Sequence, residues 1–377
     1  MRVAIDLTAL NPKPSGIDRY LEGLVASLAQ LDADADWLLF INAEDCARFA
    51  AKRLPPRFRI MPVCFRPRLL RLLFQQLLQP LLLYAFRIDV LHSPTFIMPL
   101  WRGRARHVLT IHDMSSFVLP QSHPAMRRGP LYERAVSTCI RRADLVTVPS
   151  QSVKEDILRL VPRVHGARIR VIPCGVDDHF HPRDSAEVGA VLHRLNLPAP
   201  YILFVGTLDP RKNLPVLIYA YSQLVARQRP EHLVLAGQTS WSVDELSSSV
   251  ASAAVSDRIH LPGYIADSDL PFVYAGAALF VYPSLLEGFG FPPLEAMASG
   301  VPVVASDTSS LRDNLAGTAI LVPPTNSEAF AAAMETLLTD ETARTQAITS
   351  GLERSRSFRW EAFARETLAC YRALAQR

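Results

Sequence analysis

The sequence predicts two doubly wound α/β domains, each built on a parallel sheet covered on both faces. Three observations carry that expectation. Short apolar runs rich in β-branched residues alternate with longer helical patterns. The runs are continuous rather than alternating, as strands buried on both faces are. The pattern also restarts near residue 200, after the polar, proline-containing stretch VIPCGVDDHFHPRDS. At 377 residues, 49% apolar and 20% charged, the chain is globular in composition and long enough for two cores of this kind.

In order, the first half offers RVAIDL, WLLFIN, DVLHSP, RHVLTIHD and LVTVPS. The second offers YILFVG, HLVLAG, RIHLPG, LFVYPS, VPVVAS and AILVPP. Domains are expected at 1–175 and 176–357, with residues 358–377 forming a helix that packs back on the first, and with a hinge near 174–184. In such sheets ligands bind beyond the carboxyl ends of the strands. Most polar punctuation falls there: SGIDRY, the His-Asp of RHVLTIHD, GTLDPRKN and EGFG. With two domains, those ends can face each other across one cleft.

The net charge of +4 hides a split. Residues 1–175 hold 25 Lys/Arg against 14 Asp/Glu, and residues 176–377 hold 15 against 22. A basic first half suits an anionic surface. Nucleic acid is disfavoured, because neither an aromatic-interleaved basic motif nor a helix-turn-helix pattern accompanies the charge. An anionic membrane leaflet fits better: Arg66, Arg68 and Arg71 sit directly before LLFQQLLQPLLLYAF, residues 72–86. An Arg-rich composition with an ordinary amphipathic helix is the plain alternative. That run, with three Gln and one Pro in 15 residues, is too short and too polar to span a bilayer. The N-terminus reads as a strand rather than a signal peptide. Five scattered cysteines without ligand spacing suggest reduced thiols in a cytosolic protein, with peripheral contact to an inner membrane as a further expectation.

Two motifs carry chemistry. In FVGTLDPRKN, a strand ends at Gly206 and the adjacent cations Arg211 and Lys212 follow in one loop. An Arg-Lys pair is ordinarily just solvated, but a planar fork beside a point charge at a buried strand's end suits a diphosphate. In SLLEGFGFPPLEAMASG, Pro292 and Pro293 suit a helix's first turn and Gly300 its end. Gly288, Phe289 and Gly290 precede that helix, so backbone N–H groups and the helix dipole can approach an anion. Glu287 and Glu295 then address something other than phosphate; a vicinal diol, which one carboxylate can grip twice, is the natural partner. Two solvated glutamates would explain Glu295 but leave Gly-Phe-Gly unexplained. Diol readers flanking a phosphate cradle describe a nucleotide sugar.

EGFGFPPLEAMASGVPVVAS resembles the E-x7-E signature of the retaining glycosyltransferases of family 4, which have the GT-B fold. SGIDRY, LHSP, TIHD, VPSQSVKEDI, VIPCGVD, VGTLDPRKN and LPGY resemble further segments of that family in the family's order, over nearly the whole chain. Cys174 and Gln238 depart from the residues common there. The resemblance implies that Glu295 binds ribose hydroxyls and Glu287 faces the transferred sugar. Arg211 and Lys212 would neutralise the diphosphate, with Gly16, Gly206 and Gly288–Gly290 completing the cradle. His112 would sit by the sugar, with His92 and Asp113 on the acceptor side, and Leu261–Tyr264, including Gly263, would edge the base. Transfer with retention through a front-face path follows, with no resident cofactor and no required metal. TIHDMSSF and the HSP segment look most like O-antigen mannosyltransferases, which implies GDP-mannose as donor and a saccharide acceptor, lipid-linked, in bacterial surface polysaccharide assembly. A UDP-sugar and another acceptor, or a nucleotide-sugar epimerase, remain the alternatives. A dinucleotide oxidoreductase lacks its GxGxxG here, a P-loop NTPase its GxxxxGK[ST], and a scaffold without activity would not need the full motif set.

Overall fold

The computed structural model describes residues 1–11, 16–31, 34–50, 52–101, 103–119, 129–238 and 255–376. The chain divides into two compact units. Met1–Val118, Met126–Gly175 and Arg359–Arg377 form the first; Leu119–Ala125 and Val176–Phe358 form the second.

The first unit holds a seven-stranded sheet. Its strands are β1 (Arg2–Asp6), β2 (Asp36–Asn42), β3 (Phe58–Val63), β4 (Val90–Ser93), β5 (Arg106–Thr110), β6 (Leu145–Val148) and β7 (Ile169–Val171). They lie in the order β3-β2-β1-β4-β5-β6-β7, all pairs parallel. The second unit holds β8 (Tyr201–Val205), β9 (His232–Ala236), β10 (Ile259–Gly263), β11 (Leu279–Tyr282), β12 (Val303–Ser306) and β13 (Ile320–Val322). Their order is β10-β9-β8-β11-β12-β13, again parallel. The strand cores are apolar and buried because helices cover both faces: Val3, Ala4 and Ile5 in β1 and Tyr201 to Phe204 in β8 are fully enclosed.

Helices start where the sequence supplies acceptors for their unpaired N–H groups. Ser150 accepts from Val153 N–H at 3.3 Å and Asp184 from Ala186 at 2.8 Å. Asn326 and Asp340 do the same for Ala329 and Ala343. The C-terminal helix Trp360–Ala375 belongs to the first unit, where it packs along the helix Gly16–Gln30. Among the described residues no helix is long and apolar enough to cross a membrane.

Each sheet reverses its winding once, between β1 and β4 and between β8 and β11. The two strands at such a point send their following loops to opposite sides, which opens a crevice at their carboxyl ends. The motifs containing Arg211 and Lys212, and Glu287, follow β8 and β11 respectively.

Candidate active site

In the second unit the chain after β8 makes a short helical turn, Pro210–Lys212, and leaves it through Asn213 in the left-handed region. Asn213 can hold that conformation because its side-chain amide donates to the Pro283 and Pro324 carbonyls at 3.1 and 2.7 Å. The Leu285 N–H donates to the Arg211 carbonyl, so the loops after β8 and β11 are laced together.

That lacing brings three charges into one cluster. The Lys212 ammonium donates to Glu287 Oε1 and to the Tyr282 hydroxyl oxygen, each at 2.6 Å. Arg211 donates to Glu287 Oε2 at 3.0 Å and to the Leu286 carbonyl at 2.9 Å. Lys212 is only 5% exposed and Glu287 7%. Burial alone would raise the Glu287 carboxyl; Arg211 and then Lys212 outweigh it and hold the group at about 2. Burial pulls the Lys212 ammonium below its ordinary value, against the opposing pull of Glu287. Burial and the neighbouring Glu287 charge keep the Tyr282 phenol neutral. Arg211 also lies 3.9 Å from an Asp209 carboxylate oxygen, so two cations and two carboxylates share a setting of weak solvent screening.

The Glu287 segment is braced by the helix Ser309–Leu315. Ser309 Oγ accepts from Glu287 N–H, Ser310 Oγ donates to the Glu287 carbonyl, and the Asn314 amide donates to the Phe289 carbonyl. Gly290 then takes φ +89° as the residue before the helix Phe291–Ala298, a conformation that a side chain would strain. Gly288 is buried, and the Phe289 ring is buried between Phe291 and Phe358. Glu295, one turn into the helix and 1% exposed, accepts from the Tyr274 hydroxyl at 2.8 Å.

Gly206 lies against the stem of Lys212, and its carbonyl approaches Gly237 so closely that a Cβ on Gly237 would fall 1.8 Å from that oxygen. Only glycine fits there. Gly263 ends β10 and its carbonyl accepts from Gly237 N–H at 2.8 Å; Tyr264 beyond it is exposed. Tyr274, Tyr282, Ser309, Ser310, Asn314 and Gly237 contact the motif loops although the motifs do not announce them. Their pattern is ordinary for core and cap positions, and only the fold brings them to the loop.

In the first unit, Gly16 opens the helix Gly16–Gln30, while Ser15 lies outside the described residues. His112 follows β5, edge-on to the Tyr20 ring at 4.6 Å, with Nε2 2.7 Å from the Pro94 carbonyl. A carbonyl can only accept, so Nε2 carries the proton. Burial lowers the His112 pKa, which makes the ring neutral and Nδ1 an acceptor. Asp113 accepts from the N–H and hydroxyl of Ser115 and so caps the next turn. His92 is fully enclosed, with Nδ1 at 2.5 Å from the Tyr371 hydroxyl and Nε2 at 2.7 Å from Thr110 Oγ1. Both nitrogens are thus taken, and an acceptor-side contact by this ring does not fit its placement; it ties β4 to β5 and to the C-terminal helix.

Asp-x-Asp spacings occur in the sequence at Asp32/Asp34, Asp34/Asp36 and Asp267/Asp269. Asp269 is held by a two-pronged bond from Arg194, and Asp267 accepts from Tyr264. Among the described residues no three His, Cys, Asp or Glu side chains converge as metal ligands.

Comparison with known proteins covers both units. Residues 14–180 match the description Glycosyltransferase Family 4, and residues 193–354 match Glycosyl transferases group 1. The chain is 34% identical over 313 residues to O-antigen chain mannosyltransferase B of Escherichia coli, covering 78% of this chain and 81% of that protein. Among solved structures, sucrose-phosphate synthase from Thermosynechococcus elongatus superimposes with a TM-score of 0.77 at 25% identity, over 99% of this chain and 98% of that one. Anabaena HepE, in complex with UDP and glucose, gives 0.79 at 18% identity over 99% and 100%, a likeness of fold. The two sheets are those of the GT-B glycosyltransferases, and with each half matched in sequence the chain belongs to the family 4, group 1 glycosyltransferases, enzymes that take their sugar from a nucleotide donor.

Proposed function

We propose that the chain transfers mannose from GDP-mannose, with retention of anomeric configuration and without a metal, to a lipid-linked saccharide of a bacterial surface polysaccharide. The observation that carries the reading is the buried Arg211–Lys212–Glu287 cluster at the winding reversal of the second sheet. The similarity to an O-antigen mannosyltransferase supplies the sugar and the class of acceptor. The Arg211 and Lys212 cations meet the diphosphate, and the N-terminus of the helix after Gly290 adds partial charge of the same sign. Glu287 both holds the cations and faces the sugar; Glu295 takes the ribose hydroxyls. In the first unit, His112 offers Nδ1 to a hydroxyl, and Val176–Phe358 acts as the donor-binding domain.

The acceptor hydroxyl oxygen bonds to the anomeric carbon on the face from which the phosphate departs. As the carbon–phosphate-oxygen bond breaks, the hydroxyl proton passes to the departing diphosphate oxygen. Arg211 and Lys212 stabilise the charge that builds there, with positioning supplying the rest of the acceleration.

The donor is tested by thermal shift. GDP-mannose at about 100 times its Kd is expected to stabilise the protein by about 2.7 kcal/mol, and UDP-sugars at the same concentration by much less. Stabilisation by a UDP-sugar alone would replace the assigned base. Diphosphate binding also requires the protonated Lys212. Since burial lowers that pKa, affinity for GDP is expected to fall as pH rises through it, below the ~10.4 of a free lysine. Lys212→Arg should keep the affinity to higher pH; calorimetric titrations of both proteins across the alkaline range compare the two limbs, and coincident limbs would remove Lys212 from the diphosphate.

A further inference from the structure

The helical run from Arg68 to Ala85 is turned inside out. It consists of helix Arg68–Leu73, a wide π turn Phe74–Leu78 and helix Gln79–Ala85. Pro80 lacks an N–H and its ring crowds the preceding turn, which accounts for the widening before it. The polar side chains face in: the Gln75 and Gln79 amides donate to Asp6 Oδ2 at 2.8 and 3.0 Å, and all three residues are buried. Phe74 and Leu83 pack beside them against Leu38 and Phe40. The leucines face out. Leu69, Leu73, Leu77 and Leu81, spaced one turn apart, are 70%, 47%, 64% and 54% exposed, and Tyr84 continues the stripe.

The patch extends sideways. Gln76 is hydrogen-bonded to the Met98 carbonyl and Leu100 N–H, which sets the exposed Trp101 nearby in the chain. The Arg68 guanidinium lies over the Tyr132 ring at 5.4 Å, next to the exposed Leu131. Arg68 and Arg87, at the two ends of the run, are exposed, and residues 64–88 contain no Asp or Glu. An apolar stripe of this extent is not explained by the unit's own core.

We propose that this run is an in-plane anchor that seats its leucine stripe in the interfacial region of an anionic lipid leaflet, with Arg68 and Arg87 at its ends on lipid phosphates. About 27 Å of helix lies along the surface rather than through it. The charge picks the occupant. A second copy would bring the same arginines against one another, whereas an anionic leaflet neutralises them. Asp6 fixes the rotation of the helix by holding both glutamines, so the leucines cannot turn inward. The proposal deepens the reading of a lipid-linked acceptor and rests on it for its purpose, but the test uses vesicles with no saccharide and is decided separately from donor and acceptor chemistry.

The full chain is sedimented with vesicles of phosphatidylcholine alone and of phosphatidylcholine with phosphatidylglycerol. The wild type is expected to pellet with the anionic vesicles and to be partly released by salt. Leu73→Gln/Leu77→Gln/Leu81→Gln should lower partitioning at least about tenfold while keeping the thermal shift given by GDP, which shows that the fold survives. Arg68→Gln/Arg87→Gln should lower it on anionic vesicles only. The proposal is overturned if the wild type stays in the supernatant with both vesicles, if neutral vesicles bind it equally, or if the leucine variant binds like wild type. It is also overturned if sedimentation velocity finds a dimer that the leucine variant abolishes while vesicle binding is absent.

Discussion

Lys212→Ala is expected to remove transfer and to destabilise the second unit together. Glu287 would keep Arg211 but lose the ammonium 2.6 Å from Oε1, in a site where Glu287 is nearly enclosed. Removing one partner of a buried ion pair costs about 3–5 kcal/mol, because the remaining charge is left without solvent. On the catalytic side, losing a preorganised donor at developing negative charge costs about a hundredfold to a thousandfold in kcat. The two losses separate in a paired variant. Lys212→Met/Glu287→Gln replaces two opposite charges by neutral groups of similar volume, so much of the melting temperature should return while turnover does not. Thermal melts and kcat/KM on the three proteins read this out. Recovery of turnover along with stability would reduce the pair to a purely structural bond and remove Lys212 from the chemistry.

The same pair shows what the sequence could and could not convey. Arg211 and Lys212 stand out in the sequence as a candidate anion site because they follow a buried apolar run, and a parallel strand's carboxyl end is where ligands bind. Glu287 stands out as a candidate from Gly-Phe-Gly and the double proline, and the structure adds that Gly290 takes a left-handed backbone. That the two motifs are bonded to each other was not legible. It depends on β8 and β11 being neighbours, and strand order at a winding reversal is not written in local periodicity. His92 shows the reverse failure. At a strand's end it looks like a site residue, yet Tyr371, far along the chain, closes over it. The sequence of the Leu-rich run does not show which side faces the core; its orientation is decided by Asp6, a buried carboxylate at the end of β1 that draws two glutamines inward.

Glu295→Ala is expected to weaken the donor through its ribose alone. The carboxylate sits on the first turns of the helix Phe291–Ala298, and the Tyr274 hydroxyl on Oε2 orients it. A carboxylate that accepts from both ribose hydroxyls contributes about 3 kcal/mol, roughly a hundredfold in Kd, when those bonds replace water. The loss should therefore be large for GDP and GDP-mannose and small for 2′,3′-dideoxy-GDP, which has no hydroxyls to give. Wild type should in turn bind the dideoxy nucleotide as poorly as the variant binds GDP. Calorimetry on the two proteins with both nucleotides closes this cycle, and Tyr274→Phe tests the orienting bond with a smaller effect of the same kind. If Glu295→Ala lowers affinity equally for GDP and its dideoxy form, the glutamate acts on the loop or the diphosphate instead. If Glu287→Gln, measured alongside, weakens GDP-mannose more than GDP, the two glutamates address opposite ends of one donor, and the eight-residue spacing between them measures the distance from sugar to ribose.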